Sequence, residues 1–200
     1  MRQHIPNVLT LLRTILAPLG AAALWFSYQW NISHEVPPWM GDSALAVGGL
    51  AQFAVLAFML AAVSDWLDGF LARRWSVQSA FGALLDPIAD KLLINCYLIV
   101  YAAIMNFSVN IAVAVFAILL RDILMTALRL TSGKPGDAAI PVSPLAKIKT
   151  AIEMVVVAAP FLIVPMGWLA SDLVLTVWVA ALWIAAALSL LTGIRYLTAK

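Results

Sequence analysis

Four aspartates stand within one stretch of the chain, "SDWLDGFLARRWSVQSAFGALLDPIADK" (64–91), at positions 65, 68, 86 and 90. They are four of only ten acidic residues in 200. On a helix, residues three or four apart share a face. Asp65, Asp68, Gly69, Ala72 and Arg73 follow one another at such steps and form one stripe; Gly82, Asp86 and Asp90 form a second. Between them lies "RWSVQSAF" (74–81), whose Arg74, Ser76, Gln78 and Ser79 suit a turn at a membrane surface. Folding the chain near residue 77 sets Asp68 level with Asp86 and Asp65 level with Asp90, so the four carboxylates are expected to converge. With a helical rise of about 1.5 Å per residue, Asp65 would lie roughly 13 Å from Arg74 along the axis.

Converging carboxylates repel one another or stay protonated, and an aspartate at the centre of a membrane helix costs about 2.5–3.5 kcal/mol. Arg73 and Lys91 offer two flexible cations, which do not neatly neutralise four acids. Divalent cations do, because carboxylate oxygens are hard ligands suited to Mg²⁺, Mn²⁺ or Ca²⁺. Two such ions about 3.5–4 Å apart form a clamp for phosphoryl chemistry. Asp65, Asp68, Asp86 and Asp90 are therefore candidate metal ligands. Gly69, Ala72 and Gly82 share their faces and leave a groove for a substrate; equally, such residues simply let membrane helices pack closely.

The elements that position these groups are set by composition. The chain is 64% hydrophobic and 11% charged, against about 25% charged in soluble domains, which excludes an ordinary water-soluble fold. Apolar runs long enough to cross a bilayer recur at 8–27, 44–66, 83–105, 109–130, 149–166 and 170–194. The expectation is an all-α integral membrane protein, a bundle of six transmembrane helices forming a single domain over 1–200. Arg13 interrupts the first run, which argues against a cleaved signal peptide there. Cys96 reads as a small buried hydrophobe.

Lysine and arginine favour the cytoplasmic side of membrane proteins. All twelve lie in the start, the linkers around 73–82 and 131–148, the tail, or helices near them. The proposed outer loop, "YQWNISHEVPPWMGD" (28–42), has no basic residue. Both termini and the aspartate stripes are thus expected on the cytoplasmic side. Trp25, Trp30 and Trp39 read as interfacial anchors, His4 and His34 as solvated histidines.

Written as D-x-x-D-G-x-x-A-R, eight residues, then G-x-x-x-D-x-x-x-D, the stretch resembles the signature of the CDP-alcohol phosphotransferase family. The resemblance implies a six-helix membrane enzyme, usually a homodimer, that moves a substituted phosphoryl group from a CDP-linked donor to an alcohol and releases CMP. It also implies two divalent cations, Mg²⁺ or Mn²⁺, held by Asp65, Asp68, Asp86 and Asp90, with Asp90 doubling as general base on the acceptor hydroxyl. Gly69, Ala72, Arg73 and Gly82 would line the CDP-diacylglycerol site. Together with "IPNVLTLLR" (5–13) and "PLAKIKT" (144–150), these blocks are most similar to family members whose acceptor is glycerol 3-phosphate, acting at the cytoplasmic face of the bacterial inner membrane. The implied partners are those two substrates and the lipid bilayer, and no nucleic acid.

An acceptor carrying a phosphate dianion needs cations nearby. Arg121 and Arg129, two helical turns apart, with Lys147, Lys149 and Arg195, are the candidates. An arginine well inside an apolar run, as Arg121 is, marks a functional position by default; its alternative is an ion pair with an aspartate of a neighbouring helix. Asp122 departs from the glutamate that follows this arginine in many relatives. Asn7, Thr10 and Arg13 form a short polar stripe that either helps close the nucleotide site or leaves Asn7 as a helix cap and Arg13 as an orientation signal. Two further alternatives stay open. One is another acceptor, as in a cardiolipin, phosphatidylinositol phosphate or phosphatidylserine synthase; the other is a cation transporter, since intramembrane carboxylates often mark ion pathways.

Overall fold

The computed structural model describes the backbone of residues 4–75, 80–131, 144–167 and 171–198. Within these, the side chains of residues 4–6, 68–75, 80–84, 86, 87, 90, 129–131, 144, 146, 147, 196 and 197 lie outside the described set. The described residues form six α-helices: α1 (His4–Ser33), α2 (Ser43–Trp75), α3 (Ala80–Ile104), α4 (Val109–Thr131), α5 (Pro144–Ile163) and α6 (Asp172–Thr198). They contain no strand. Each of the six apolar runs falls on one helix, although α1 runs six residues and α2 nine residues past the end of its run.

Among the described residues, four segments are long and apolar enough to cross a membrane: Asn7–Ser33, Ser43–Leu67, Val109–Leu128 and Asp172–Arg195. The apolar part of α3 among the described residues, Lys91–Ile104, is shorter. In α5, Lys147, Lys149 and Glu153 crowd the first half and lower its apolar character.

The chain divides into two compact units, Met1–Ile104 and Met105–Lys200. In the first, α1 packs on α2 and α3. Its pattern is the reverse of a soluble helix: Leu11, Leu12, Ile15 and Leu19 are exposed, while Thr10, Arg13 and Ala17 are buried. Lipid is as apolar as leucine, so helix association depends on close packing and interhelical hydrogen bonds. Small residues supply the packing, with Ala17 and Ala21 on α1 and Ala54, Ala57 and Ala61 on α2 all buried. Gly20 is the tightest point, since a Cβ there would lie 2.8 Å from the Ala57 Cβ and press on the Tyr97 hydroxyl.

Three hydroxyls then tie the helices through backbone carbonyls. Tyr97 donates to Ala54 at 2.7 Å, Ser27 to Val47 at 3.0 Å and Tyr28 to Ile104 at 3.1 Å. Phe58 meets the Tyr97 ring edge-on, with centroids 5.4 Å apart. Ahead of α2, Asp42 Oδ1 accepts the N–H groups of Ala44 at 2.9 Å and Leu45 at 3.1 Å, capping the helix as a short acidic side chain does. His34 and Trp39 in this loop are exposed.

In the second unit, α6 packs against both α4 and α5. Ile111, Ala114, Ile118, Asp122 and Met125 are buried on α4 at helical steps; Lys149, Glu153, Val156 and Val157 are buried on α5. Trp178, Leu182, Ala185, Ala186, Ser189 and Thr192 complete the core from α6. The Trp178 indole N–H donates to the Val156 carbonyl at 2.9 Å. Three of these core positions, Asp122, Lys149 and Glu153, carry charge.

Candidate functional site

α2 runs unbroken through Trp75 and α3 begins at Ala80, so each aspartate stripe stands on one continuous helix. Asp65 is the stripe acid whose side chain is described. Those of Asp68, Gly69, Ala72, Arg73, Gly82, Asp86 and Asp90 lie outside the described residues, as does most of the connecting turn. Among the described residues no three acidic, histidine or cysteine side chains gather into a metal site.

Asp65 has a partner from α1: the Arg13 guanidinium donates through Nη1 to Asp65 Oδ1. Arg13 is 1% exposed and Asp65 38% exposed. Burying a guanidinium costs several kcal/mol unless a counter-charge and hydrogen bonds offset it, and Asp65 supplies both. The polar stripe of α1 explains the approach. Thr10 is also buried and Asn7 half-buried, so the whole stripe faces the interior of the first unit. Arg13 is thus more than an orientation signal. Asn7 lies inside α1, which extends back to His4, and so does not cap it.

Asp65 fits the part of a metal ligand. Its oxygens are hard donors, and its exposure leaves the carboxyl group reachable by a cation. A single carboxylate so held is also pre-oriented, since Arg13 fixes one oxygen.

The second unit holds a separate charged cluster. The Arg121 guanidinium donates from Nη1 to Asp122 Oδ1 at 2.9 Å and from Nη2 to Thr192 Oγ1 at 3.1 Å. The Thr192 hydroxyl spends its own hydrogen on the Ser189 carbonyl at 2.8 Å, which turns a lone pair toward Arg121. Gly193 leaves room beside it, for a Cβ there would lie 3.1 Å from Arg121 Cγ. From α5, Lys149 Nζ reaches the same Asp122 Oδ1 at 3.1 Å and Glu153 Oε1 at 2.9 Å. The side chains of Asp122 and Glu153 are wholly buried, Lys149 is 2% exposed and Arg121 is 15% exposed.

Among the cations expected to face an acceptor phosphate, the structure therefore brings Arg121 and Lys149 together. Arg195 is exposed in the last turn of α6. Arg129 and Lys147 have side chains outside the described residues. The Arg121 ion pair is made with its own neighbour, Asp122, and the adjoining helices contribute Thr192 and Lys149. Sequence reasoning passed over Asp122 and Glu153 as site residues. Their signal was present: opposite charges at 149 and 153 are one helical turn apart, and each interrupts an apolar run.

A family model described as CDP-alcohol phosphatidyltransferase matches residues 3–191 of the chain. The chain belongs to the CDP-alcohol phosphatidyltransferase family. The charged residues of both clusters lie inside the region this family covers. Similar members include proteins named CDP-diacylglycerol–glycerol-3-phosphate 3-phosphatidyltransferase from two bacteria, Sodalis glossinidius (strain morsitans) and Pectobacterium atrosepticum. Each is 32% identical to this CDP-alcohol phosphatidyltransferase over 200 residues, which is 100% of this chain and 96% of the relative. A protein of the same name from Cereibacter sphaeroides is 36% identical over 162 residues, 81% of this chain and 65% of that one.

Proposed function

We propose that this CDP-alcohol phosphatidyltransferase moves the phosphatidyl group of CDP-diacylglycerol to sn-glycerol 3-phosphate, giving phosphatidylglycerophosphate and CMP. The observation that carries the reading is the full-length similarity to relatives bearing that enzyme's name, at 32% identity over the whole chain. The intramembrane carboxylates then have a use as transferase groups, which the family membership favours over an ion pathway.

In this reading Asp65, Asp68, Asp86 and Asp90 hold two divalent cations, Mg²⁺ or Mn²⁺. Such ions, when bound, neutralise the pyrophosphate and stabilise the departing phosphate of CMP. Arg13 keeps Asp65 oriented, and Gly69, Ala72, Arg73 and Gly82 line the donor site with Asn7 and Thr10 near it. Asp90 takes the proton of the acceptor hydroxyl as that oxygen forms a bond to the distal phosphorus and the bond to CMP breaks. Arg121 receives the acceptor's phosphate, with Arg129, Lys147, Lys149 and Arg195 adding positive potential. The diacylglycerol tails stay in lipid while the acceptor arrives from water.

The same reading places the whole chain, 1–200, in one domain of six spans with both termini in the cytoplasm. It acts as a homodimer in the bacterial cytoplasmic membrane, with its site facing the cytoplasm. The distribution of all twelve basic residues supports this orientation.

CMP release by the purified protein tests the function. Glycerol 3-phosphate, inositol phosphate, serine and phosphatidylglycerol are offered in turn with CDP-diacylglycerol. Release with glycerol 3-phosphate alone, abolished by chelation and restored by Mg²⁺ or Mn²⁺, is the expected result. Release with a different acceptor overturns the acceptor assignment.

A further inference from the structure

The charged groups of the second unit alternate in sign. Arg121, Asp122, Lys149 and Glu153 follow one another at 2.9, 3.1 and 2.9 Å, so two cations and two carboxylates form a neutral chain from α4 to α5. Only its Arg121 end is appreciably exposed, at 15% against 2% for Lys149. An anion brought to Lys149 would have to displace or approach two buried carboxylates, whose like charge repels it. An anion at Arg121 meets a guanidinium with five N–H donors, of which Asp122 and Thr192 each take one.

We infer that Lys149 and Glu153 are positioning residues for Arg121, with Lys149 serving as internal counter-ion and making no contact with the acceptor. This rests on the reading of Arg121 as the residue that receives the acceptor phosphate. Asp122 is the hinge of the arrangement, because its Oδ1 is shared by Arg121 and Lys149. Lys149 draws part of the Asp122 charge away from Arg121, and Glu153 balances Lys149 in turn. Arg121 is thereby held by Asp122 without being fully neutralised by it. Thr192 and the space at Gly193 fix the orientation from α6.

Three variants test the inference through the KM for glycerol 3-phosphate and the KM for CDP-diacylglycerol, measured separately. Lys149→Met leaves two carboxylates beside one arginine and should raise the acceptor KM at least tenfold, with the donor KM within twofold. Adding Glu153→Gln to it restores neutrality and should return the acceptor KM to within threefold of the parent protein. A double variant that stays as impaired as folded Lys149→Met, or tenfold or more above the parent where Lys149→Met does not fold, overturns the inference, because a lost ligand contact is not rescued by removing a carboxylate.

Glu153→Gln alone gives opposite signs for the two roles and decides the matter if the Lys149 variants do not fold. A positioning role predicts an acceptor KM raised threefold or more, as Lys149 then takes Asp122 from Arg121 and the guanidinium loses the hold that orients it. A direct ligand role predicts an unchanged or lower KM, as the lysine is released toward the anion. Failure of the acceptor reading itself shows elsewhere, in unmodified protein that releases CMP with a different acceptor.

Discussion

Arg13 on α1 donates to Asp65 on α2, joining the polar stripe of the first helix to the first aspartate of the signature. Arg13 is 1% exposed, so removing Asp65 takes a counter-charge from a buried guanidinium, whereas removing Arg13 leaves a carboxylate that solvent reaches. Asp65→Ala is therefore expected to destabilise more than Arg13→Ala. The first should cost about 1.5–3 kcal/mol, the range for a hydrogen bond to a charged group, and the second less. Thermal unfolding in detergent without added metal checks the order; the reverse order would show that Arg13 has another adequate counter-charge.

The acid roles separate by measurement. Asp90→Asn should keep CDP-diacylglycerol binding and lose less Mn²⁺ affinity than Asp68→Asn, while CMP release at saturating Mn²⁺ falls about 100-fold or more, within the range general-base catalysis supplies. Asp68→Asn should instead weaken Mn²⁺ binding, because an amide oxygen carries no charge to offset the cation. Calorimetric Mn²⁺ titration alongside turnover distinguishes them. Undiminished turnover in the Asp90 variant rules out its role as base.

Arg121→Ala is expected to raise the KM for glycerol 3-phosphate by more than tenfold, about 1.4 kcal/mol of binding, with the KM for CDP-diacylglycerol little changed. Arg121→Lys should recover little, since one ammonium does not reproduce a planar fork that bonds Asp122 and Thr192 together. Equal effects on both KM values would remove Arg121 from the acceptor pocket.

The six helices were legible because each carries an apolar run long enough to cross a bilayer, although α1 and α2 continue past the ends of theirs. The aspartate stripes were legible for a related reason: intramembrane charge is costly enough that its spacing carries meaning. What the sequence did not display was pairing. Arg13 and Asp65 are 52 positions apart, and nothing local to either names the other. Lys149 obeys the same orientation rule as a solvated lysine, yet its surroundings on α4 and α5 bury it. The importance of Gly20 is likewise invisible in an alanine-rich helix until Tyr97 is seen lying against it.

That contact yields a prediction about stability alone. At Gly20, any side chain meets the Tyr97 hydroxyl and the Ala57 methyl, and moving that hydroxyl aside gives up its bond to the Ala54 carbonyl. Gly20→Ala should therefore destabilise by about 1–3 kcal/mol, the usual cost of overpacking, although alanine is the better helix former by about 1 kcal/mol. Tyr97→Phe removes the hydroxyl and its bond to the Ala54 carbonyl, costing about 1 kcal/mol by itself. Combining the two should cost less than their sum, because the phenylalanine ring no longer carries the atom nearest the new methyl. A double-mutant cycle on thermal unfolding measures this coupling. Strict additivity would mean that Ala57, whose methyl remains 2.8 Å from the added Cβ, sets the whole penalty.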